Sequence, residues 1–403
     1  MTKRVTRRTL LGALTAFGAW PALQARAESN AGKAGLKITK LVTFKSSLRW
    51  RDLLFLEVHT DGGVVGLGEA TCHGRVDEVE AAVRLIEDRL VGLDPSGIED
   101  HWDRINYRLS RWRTGIVLTT VLSAVDIALW DIEGKRLGVP VWRLLGGPIH
   151  KRLRAYFTHW NNTMTGRSPE AFGERAAATV EKGWTAVKFG VPRGSEQQRI
   201  RETVAIMTAI RKSVGDRLDV GLELFESFTP RSALLLAEAV KDFKPMFLEE
   251  PIQREINSAF GPLAAKSPVP IATGEGLLSR HEFRPLLEVN GASIIQPDIV
   301  KCGGVTEIRK IANLAEVYNV EVAPHMCYGP VGHVASLHAM SVCRNFFIHE
   351  WEADDDVLFQ ELCAGRYPTM KEGTIGLPEG PGLGISCNFA ELVRRHPYKR
   401  RPA

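Results

Sequence analysis

Acidic residues and one histidine recur at a regular interval in the second half of this chain, each at the end of a strand-like segment. The segments are residues 222–223, 247–249, 271–275, 294–298 and 322–325, and they end in Glu223, Glu249, Glu275, Asp298 and His325. Successive functional residues are 26, 26, 23 and 27 positions apart, about the length of one strand, one helix and two short loops. Strand ends meet on one rim of a (β/α) barrel, so this interval predicts that all five side chains converge there.

The chain as a whole fits the α/β class, with a modified (β/α) TIM-type barrel and a smaller α+β domain. Strand-like runs alternate with helical patterns along most of the chain, which predicts a parallel sheet closed into a barrel. Helical periodicity in the first part covers residues 117–137, and Gly138 is a helix-stop signal. The expected parts are the smaller domain at residues 36–150, the barrel at residues 151–365 and a C-terminal segment at residues 366–403.

Residues 1–27 have the pattern of an export signal. Basic residues precede an apolar run at residues 10–23, a small-x-small cleavage site ends at Ala27, and Arg7 and Arg8 form a twin-arginine pair. We therefore predict a periplasmic or otherwise exported protein with no stable membrane insertion after processing. The alternative is an N-terminal membrane anchor, but the run is shorter than the ~20 residues needed to span a bilayer.

The charge balance excludes one class of partner. Residues 1–27 carry five of the 52 basic residues and no acid, so the remaining chain has 47 basic and 47 acidic residues. The positive formal charge thus belongs to the signal, and the sequence gives no support for nucleic-acid binding. The cluster of basic residues at the C-terminus is interpreted as a solvated tail.

The six cysteines make neither a CxxC metal site nor a disulfide framework, and the sequence identifies no disulfide pair. Three carboxylates on consecutive strands, by contrast, can converge on a hard divalent cation. Cys327 is interpreted as a packing residue, because such a site does not recruit thiophilic ions. The alternative for each strand-terminal glutamate is a helix cap or a salt bridge. Glu250 points the other way on its strand and is not expected to bind the ion.

Several motifs resemble the enolase superfamily, in its mandelate racemase-like branch. In the N-terminal part they are residues 55–58, 66–69, 128–135 and 144–147, and in the barrel they are residues 249–251, 296–298, 303–307 and 323–325. Within the branch the chain is most similar to galactonate dehydratases and related sugar-acid dehydratases, through residues 296–298, 322–325, 329–330 and 381–384. The resemblance implies that residues 36–150 and the returning C-terminal segment cap the barrel. It also implies a homo-oligomer.

The resemblance implies a shared chemical step, removal of a proton next to a carboxylate to give an enediolate stabilised by Mg²⁺. The ligands of one Mg²⁺ per subunit would be Glu223, Glu249 and Glu275. His325 would be the base, with Asp298 accepting its other ring N–H. Glu350 would hydrogen-bond the substrate carboxylate or enediolate, a role that requires it to be protonated or to share a proton. Its alternative is a surface acid.

Three positions depart from the family pattern. Glu223 stands where relatives more often have Asp, and the longer side chain can still reach an ion. Phe225 stands where galactonate dehydratases place a histidine that protonates the departing hydroxyl, and it cannot donate a proton. The acid that protonates the departing hydroxyl would then have to be another group. The candidates are His325 acting twice, Tyr328, Glu226 and a metal-linked water. Lys188 is followed by Phe189 and Gly190, so the paired Lys-x-Lys of racemases is missing and one-base chemistry is favoured. Lys188 either binds the substrate or has a structural role.

Substrate discrimination is expected in the capping loops at residues 46–52 and 111–115. The candidate substrate-binding residues are Arg49, Arg51, Arg111, Arg113 and Tyr328. Arginine suits the carboxylate or hydroxyl groups of a polar acid substrate. The alternative for each arginine is a solvated surface residue, which is the more common case.

Three functions follow from these observations. The leading hypothesis is a Mg²⁺-dependent dehydratase that acts on a small-molecule carboxylate, a sugar acid, and yields a 2-keto-3-deoxy acid. The second is an isomerase, cycloisomerase or epimerase that uses the same enediolate. The third is a metal and sugar-acid binding protein without turnover, against which the intact pair of His325 and Asp298 argues.

Overall fold

The computed structural model describes residues 35–108 and 115–400. The predicted export signal and the candidate residues Arg111 and Arg113 therefore lie outside the described residues. Within the described ranges, every helix is too short or too polar to cross a bilayer.

The N-terminal domain is a three-stranded antiparallel sheet packed against helices. Its strands are β1 (Ile38–Leu48), β2 (Arg51–Thr60) and β3 (Val65–Glu69), and its helices are α1 (Val76–Leu90), α2 (Ile98–Asp103), α3 (Ile116–Leu137) and α4 (Val141–Leu144). A π-helical turn, Arg104–Arg108, follows α2. The predicted helix before Gly138 is confirmed as α3. Gly138 adopts the left-handed conformation there, with φ of 70°, which glycine tolerates without steric cost.

Eight parallel strands in the described part of the chain form the barrel. They are β4 (Arg152–Phe157), β5 (Ala186–Gly190), β6 (Asp219–Glu223), β7 (Phe247–Glu249), β8 (Ile271–Thr273), β9 (Ile294–Ile295), β10 (Glu321–Val322) and β11 (His349–Trp351). Neighbours in this order pair in parallel from β4 to β10. The last strand, β11, pairs with β4, and Val322 of β10 bridges to Phe346 just before β11. These pairings close the sheet and confirm the predicted fold class.

Helices follow the strands and cover the outside of the barrel. They are α5 (Pro169–Glu181), α6 (Glu196–Val214), α7 (Pro230–Val240), α8 (Asn257–Lys266), α9 (Arg280–Glu288), α10 (Gly304–Val317), α11 (Pro330–Met340) and α12 (Asp356–Leu362). The barrel interior is a separate apolar cluster in which large residues such as Tyr156 and Phe247 pack beside small ones such as Ala186 and Ala272. A packed interior fixes the strand ends relative to one another and so holds the rim side chains in place.

The C-terminal segment returns to the N-terminal domain. It contains β12 (Met370–Lys371), β13 (Thr374–Gly376) and α13 (Phe389–Arg395), and β13 pairs antiparallel with β4. Phe389 stacks on Phe55 of β2 with ring centroids 4.4 Å apart. A disulfide joins Cys363, just after α12, to Cys387. The segment therefore links the barrel to the N-terminal sheet by packing and by a covalent bond.

Candidate active site

Three glutamates gather at the rim, as the spacing predicts. Glu223 ends β6, Glu249 ends β7 and Glu275 follows β8 by two residues. One carboxylate oxygen from each lies within 4.8 Å of the others. Oxygen donors at this separation suit a hard divalent cation such as Mg²⁺. Burial, followed by the neighbouring Glu249 carboxylate, raises the pKa of Glu223 well above its usual value. The cluster is thus short of positive charge, which a bound cation would supply.

Lys188 is the positive charge that the chain itself provides to this cluster. Its Nζ pairs with Glu249, lies 3.4 Å from Glu223 Oε2 and lies 3.0 Å from Glu350 Oε1. Burial alone lowers the pKa of Lys188, but Glu249 and Glu350 raise it well above the usual value. One ammonium group among three carboxylates leaves a net negative site.

His325 and Asp298 form the predicted pair. His325 Nδ1 lies 2.8 Å from Asp298 Oδ2, and Asp298 Oδ1 accepts a hydrogen bond from Val300 N at 2.8 Å. Burial raises the pKa of Asp298, but Lys301 and His325 outweigh it and lower the pKa overall. An ionised Asp298 accepts the Nδ1 proton, which leaves Nε2 of His325 facing the rim. There it lies 3.3 Å from Glu275 Oε2.

Lys301 is a site residue that the sequence analysis missed. Its Nζ lies 3.1 Å from Asp298 Oδ2 and 5.0 Å from the ring centroid of Tyr328. Its closeness in sequence to Asp298, three residues before it, could have indicated a place at the site. It was missed because a single lysine in a loop belongs to no periodic pattern.

Glu350 lies in β11, and its burial shows that the alternative of a surface acid is wrong. Its Oε2 accepts a hydrogen bond from Met326 N at 2.7 Å, while its Oε1 faces Lys188. Although burial raises the pKa of Glu350, Lys188 and His325 lower it strongly. Lys188 and the Met326 amide thus stabilise the ionised form of Glu350 in this arrangement, and its proton-sharing contact with a substrate stays a prediction.

Phe225 and Gly190, two of the departures from the family pattern, lie against each other. Phe225 is 63% exposed and adopts a left-handed conformation with φ of 52°. A Cβ placed on Gly190 would lie 2.5 Å from a carbon of the Phe225 ring. Any side chain at position 190 would therefore displace the ring. Phe225 also donates its backbone N–H to Glu223 Oε1 at 2.8 Å, which orients one rim carboxylate.

The candidate substrate-binding residues separate into two groups. Tyr328 lines the rim cavity, with its ring edge against His325 at 5.6 Å between centroids. Arg51 is fully buried, pairs with Asp355 and donates to the Tyr328 carbonyl at 3.1 Å. Arg49 pairs with Asp355 at 2.6 Å. Substrate contact by Arg51 is therefore a wrong prediction, since its guanidinium is used inside the protein, and Arg49 is likewise directed to Asp355.

A cavity of about 480 Å³ lies over the rim. Its wall contains Lys188, Glu223, Glu275, His325 and Glu350. The remaining wall comes partly from Trp50, His73, His159, Arg167 and Arg193. Of these, Trp50 belongs to the predicted capping loop at residues 46–52. His159, Arg167 and Arg193 were missed, because they lie in loops that no strand or helix pattern marks. The cavity places a basic histidine and a carboxylate cluster around one small-molecule site.

The fold and site together define an enzyme with a small-molecule cavity lined by acids and a histidine. Two family models of enzymes match the same two parts of the chain. The N-terminal domain model of mandelate racemase and muconate lactonizing enzyme matches residues 38–146, and the enolase C-terminal domain-like model matches residues 171–391. The chain belongs to the mandelate racemase/muconate lactonizing enzyme branch of the enolase superfamily.

Named relatives are dehydratases, which are lyases. D-galactonate dehydratase from Pectobacterium atrosepticum is 35% identical over 377 residues, covering 89% of this chain and 94% of the relative. The enzyme of the same name from Ralstonia pickettii is 36% identical over 373 residues, with the same coverage. A solved structure of a mandelate racemase/muconate lactonizing enzyme from Jannaschia sp. CCS1 has a TM-score of 0.84 and 31% identity, covering 91% of this chain and 99% of that one.

Proposed function

We propose that this enzyme is a Mg²⁺-dependent dehydratase of a sugar acid. The observation that carries the proposal is that His325, held by Asp298, and the cluster of three glutamates meet at one cavity, whose wall includes His325, Glu223 and Glu275. A dehydratase of this kind needs a base beside the substrate α-carbon and positive charge beside its carboxylate. The relatives named D-galactonate dehydratase support the same class of reaction.

His325 Nε2 would take the α-proton, while Asp298 holds the ring and stabilises the imidazolium that forms. A Mg²⁺ ion held by Glu223, Glu249 and Glu275 would supply charge that stabilises the developing enediolate. Lys188 lies between Glu249 and Glu350 and would contact the substrate carboxylate. Loss of the β-hydroxyl as water then leaves an enol that tautomerises to a 2-keto-3-deoxy acid.

Phe225 favours one alternative, an isomerase that expels an internal oxygen in place of water. Phe225 is exposed at the cavity, and its ring fills the space beside Gly190. Neither Phe225 nor Gly190 has a group that can donate a proton. A lactone or anhydro-sugar acid has a ring oxygen as leaving group, so it makes a smaller demand for a proton than a hydroxyl does.

The two reactions differ in the mass of their product. We would incubate the enzyme with Mg²⁺ and pools of aldonic, aldaric and anhydro-sugar acids in D₂O and follow α-proton exchange and product by NMR and mass spectrometry. Exchange with loss of water supports the dehydratase, and an isomer of equal mass supports the alternative. His325→Asn should lower exchange by about 10²- to 10⁴-fold. His150→Asn, outside the cavity, is the matched control, and exchange unaffected by His325→Asn would contradict the proposal.

Export remains part of the proposal. The twin-arginine pattern at residues 1–27 supports it, and so does the Cys363–Cys387 disulfide, because disulfides persist in oxidising compartments. Cell fractionation with an N-terminal sequence of the mature protein tests it. Cleavage after Ala27 and recovery in the periplasmic fraction are the expected results, and the double substitution of Arg7→Lys with Arg8→Lys should block export.

A further inference from the structure

A second histidine–carboxylate pair lies on the wall of the same cavity. His159 Nδ1 is 2.9 Å from Glu352 Oε2, and the side chain of His159 is 28% exposed while that of Glu352 is 2% exposed. Within residues 35–108 and 115–400, His159 Nε2 has no hydrogen-bond partner. The pair thus resembles that of His325 and Asp298 in form: a buried carboxylate fixes one ring nitrogen and the other is left for the cavity.

The barrel closure brings this pair together. His159 follows β4 by two residues and Glu352 follows β11 directly. These strands are the first and last of the barrel, and the pairing continues past their ends, because Thr158 N donates to the Trp351 carbonyl at 3.0 Å. The two side chains therefore meet although 193 positions separate them.

Two further contacts hold the pair in position. Arg51 Nη1 lies 3.8 Å from Glu352 Oε2, so a buried guanidinium offsets the charge of this carboxylate. The ring of Trp50 packs edge-on against the His159 ring at 5.0 Å. His159 also adopts a left-handed backbone conformation, with φ of 52°. Such a conformation is unfavourable for a residue with a Cβ and is typical of residues that a site holds in place.

We propose that His159 is the general acid that protonates the departing hydroxyl of the substrate, with Glu352 as its positioning residue. This inference rests on the proposed dehydratase function. It assigns to His159 the proton donation that Phe225 cannot perform. His325 accepts the α-proton, and the β-carbon–oxygen bond breaks with its electron pair going to oxygen. His159 acts as an imidazolium: its Nδ1–H stays on Glu352, and its Nε2 proton makes the leaving group water. Solvent then returns a proton to His159 and takes one from His325.

A leaving group that needs no proton separates this role from a structural one. The probes are hexonic acids of both C3 configurations and their 3-deoxy-3-fluoro analogues, with Mg²⁺, assayed for 2-keto product, fluoride release and α-proton exchange in D₂O. His159→Gln should lower the dehydration kcat by about 10²- to 10⁴-fold. The same variant should keep α-proton exchange and fluoride release within about tenfold of the unsubstituted enzyme, because His325 performs those steps.

The chain offers a matched control in His59, which pairs with Glu57 at 2.9 Å, is 24% exposed and lies on β2 away from the cavity. His59→Gln should leave all three readouts unchanged. Equal loss of dehydration, exchange and fluoride release in His159→Gln would overturn the inference in favour of a structural role, as would unchanged dehydration. If the unsubstituted enzyme neither exchanges the α-proton nor releases fluoride from any probe, the proposed function itself fails.

Discussion

Buried acids occur in two regions of this protein, and their surroundings differ. At the domain interface, Glu69 of β3 accepts hydrogen bonds from Gly329 N and Gly332 N, both at 2.8 Å, and from Thr71. Asp131 of α3 likewise accepts from Leu67 N at 2.9 Å and from Leu383 N at 2.8 Å. These acids have donors from distant parts of the chain and so join those parts together.

The acids at the rim also have donors, such as Phe225 N for Glu223 and Gln296 Nε2 for Glu249, but they face one another as well. Glu223, Glu249 and Glu275 share a small volume in which Lys188 is the nearest ammonium group. Like charges at this separation are unfavourable until a ligand offsets them. The difference teaches that burial alone does not mark a functional acid. A buried acid with a full set of hydrogen-bond donors stabilises the fold. A buried acid that faces other acids beside a cavity is suited to binding a ligand.

The largest expected effect is the loss of catalysis when one rim acid is neutralised. Glu275→Gln removes a charge from the least buried member of the cluster, whose side chain is 31% exposed. We expect kcat to fall by about 10³-fold, since a metal contributes several kcal/mol and about 1.4 kcal/mol is tenfold in rate. The thermal midpoint without Mg²⁺ should change little, because Glu275 loses its attraction to His325 at 3.3 Å together with its repulsion from the other rim acids. A large drop in that midpoint would show that Glu275 stabilises the fold in the way Glu69 does.

The converse substitution is Glu69→Ala at the interface. It leaves two buried backbone N–H groups and the Thr71 hydroxyl without their acceptor, at about 1–3 kcal/mol for each unsatisfied group. We expect the free energy of unfolding to fall by about 4 kcal/mol, measured by urea denaturation. At a temperature where the variant is folded, α-proton exchange should stay within about tenfold. A loss of exchange as large as that of Glu275→Gln would break the distinction between the two regions.

The pH dependence of stability gives a smaller effect. Burial raises the pKa of Glu69 from its usual 4.5 to about 7, against the opposing hydrogen bonds of Gly332 and Thr71. The folded state then holds a proton that the unfolded chain has already lost, so this contribution to stability is present below pH 4.5 and is lost as pH rises towards 7. The loss amounts to about 3 kcal/mol. Glu69→Gln should show a shallower fall in unfolding free energy between about pH 5 and 7, and an equal slope would contradict the prediction.

The smallest expected effect is stabilisation by the metal. Mg²⁺ at a hundred times its Kd should add about 2.7 kcal/mol to the free energy of unfolding, and a chelator should remove this contribution reversibly. Thermal unfolding with and without Mg²⁺ measures the shift. The shift should persist in Glu69→Gln and disappear in Glu275→Gln. Its persistence in both would place the ion somewhere other than the rim.

The sequence correctly predicted the parts of this protein that are built from repeated strand and helix units. The interval between Glu223, Glu249 and Glu275 predicted a shared rim, because each strand and helix unit returns the chain to the same edge. The pair of His325 and Asp298 followed from the same interval. The prediction that Arg51 contacts the substrate was wrong. Its position in a capping loop suggested an accessible side chain, whereas packing of β2 against the barrel buries Arg51 beside Asp355.

What the sequence determined by itself was therefore periodic: the barrel, the order of acids along it and the helix that ends at Gly138. Tertiary structure decided which distant groups meet. Closure of β11 on β4 brings Glu352 to His159, and folding of the C-terminal segment brings Cys387 to Cys363. The physical reason is that periodicity is a local property of the chain, while these contacts depend on closure of the whole barrel and carry no signal in the intervening residues.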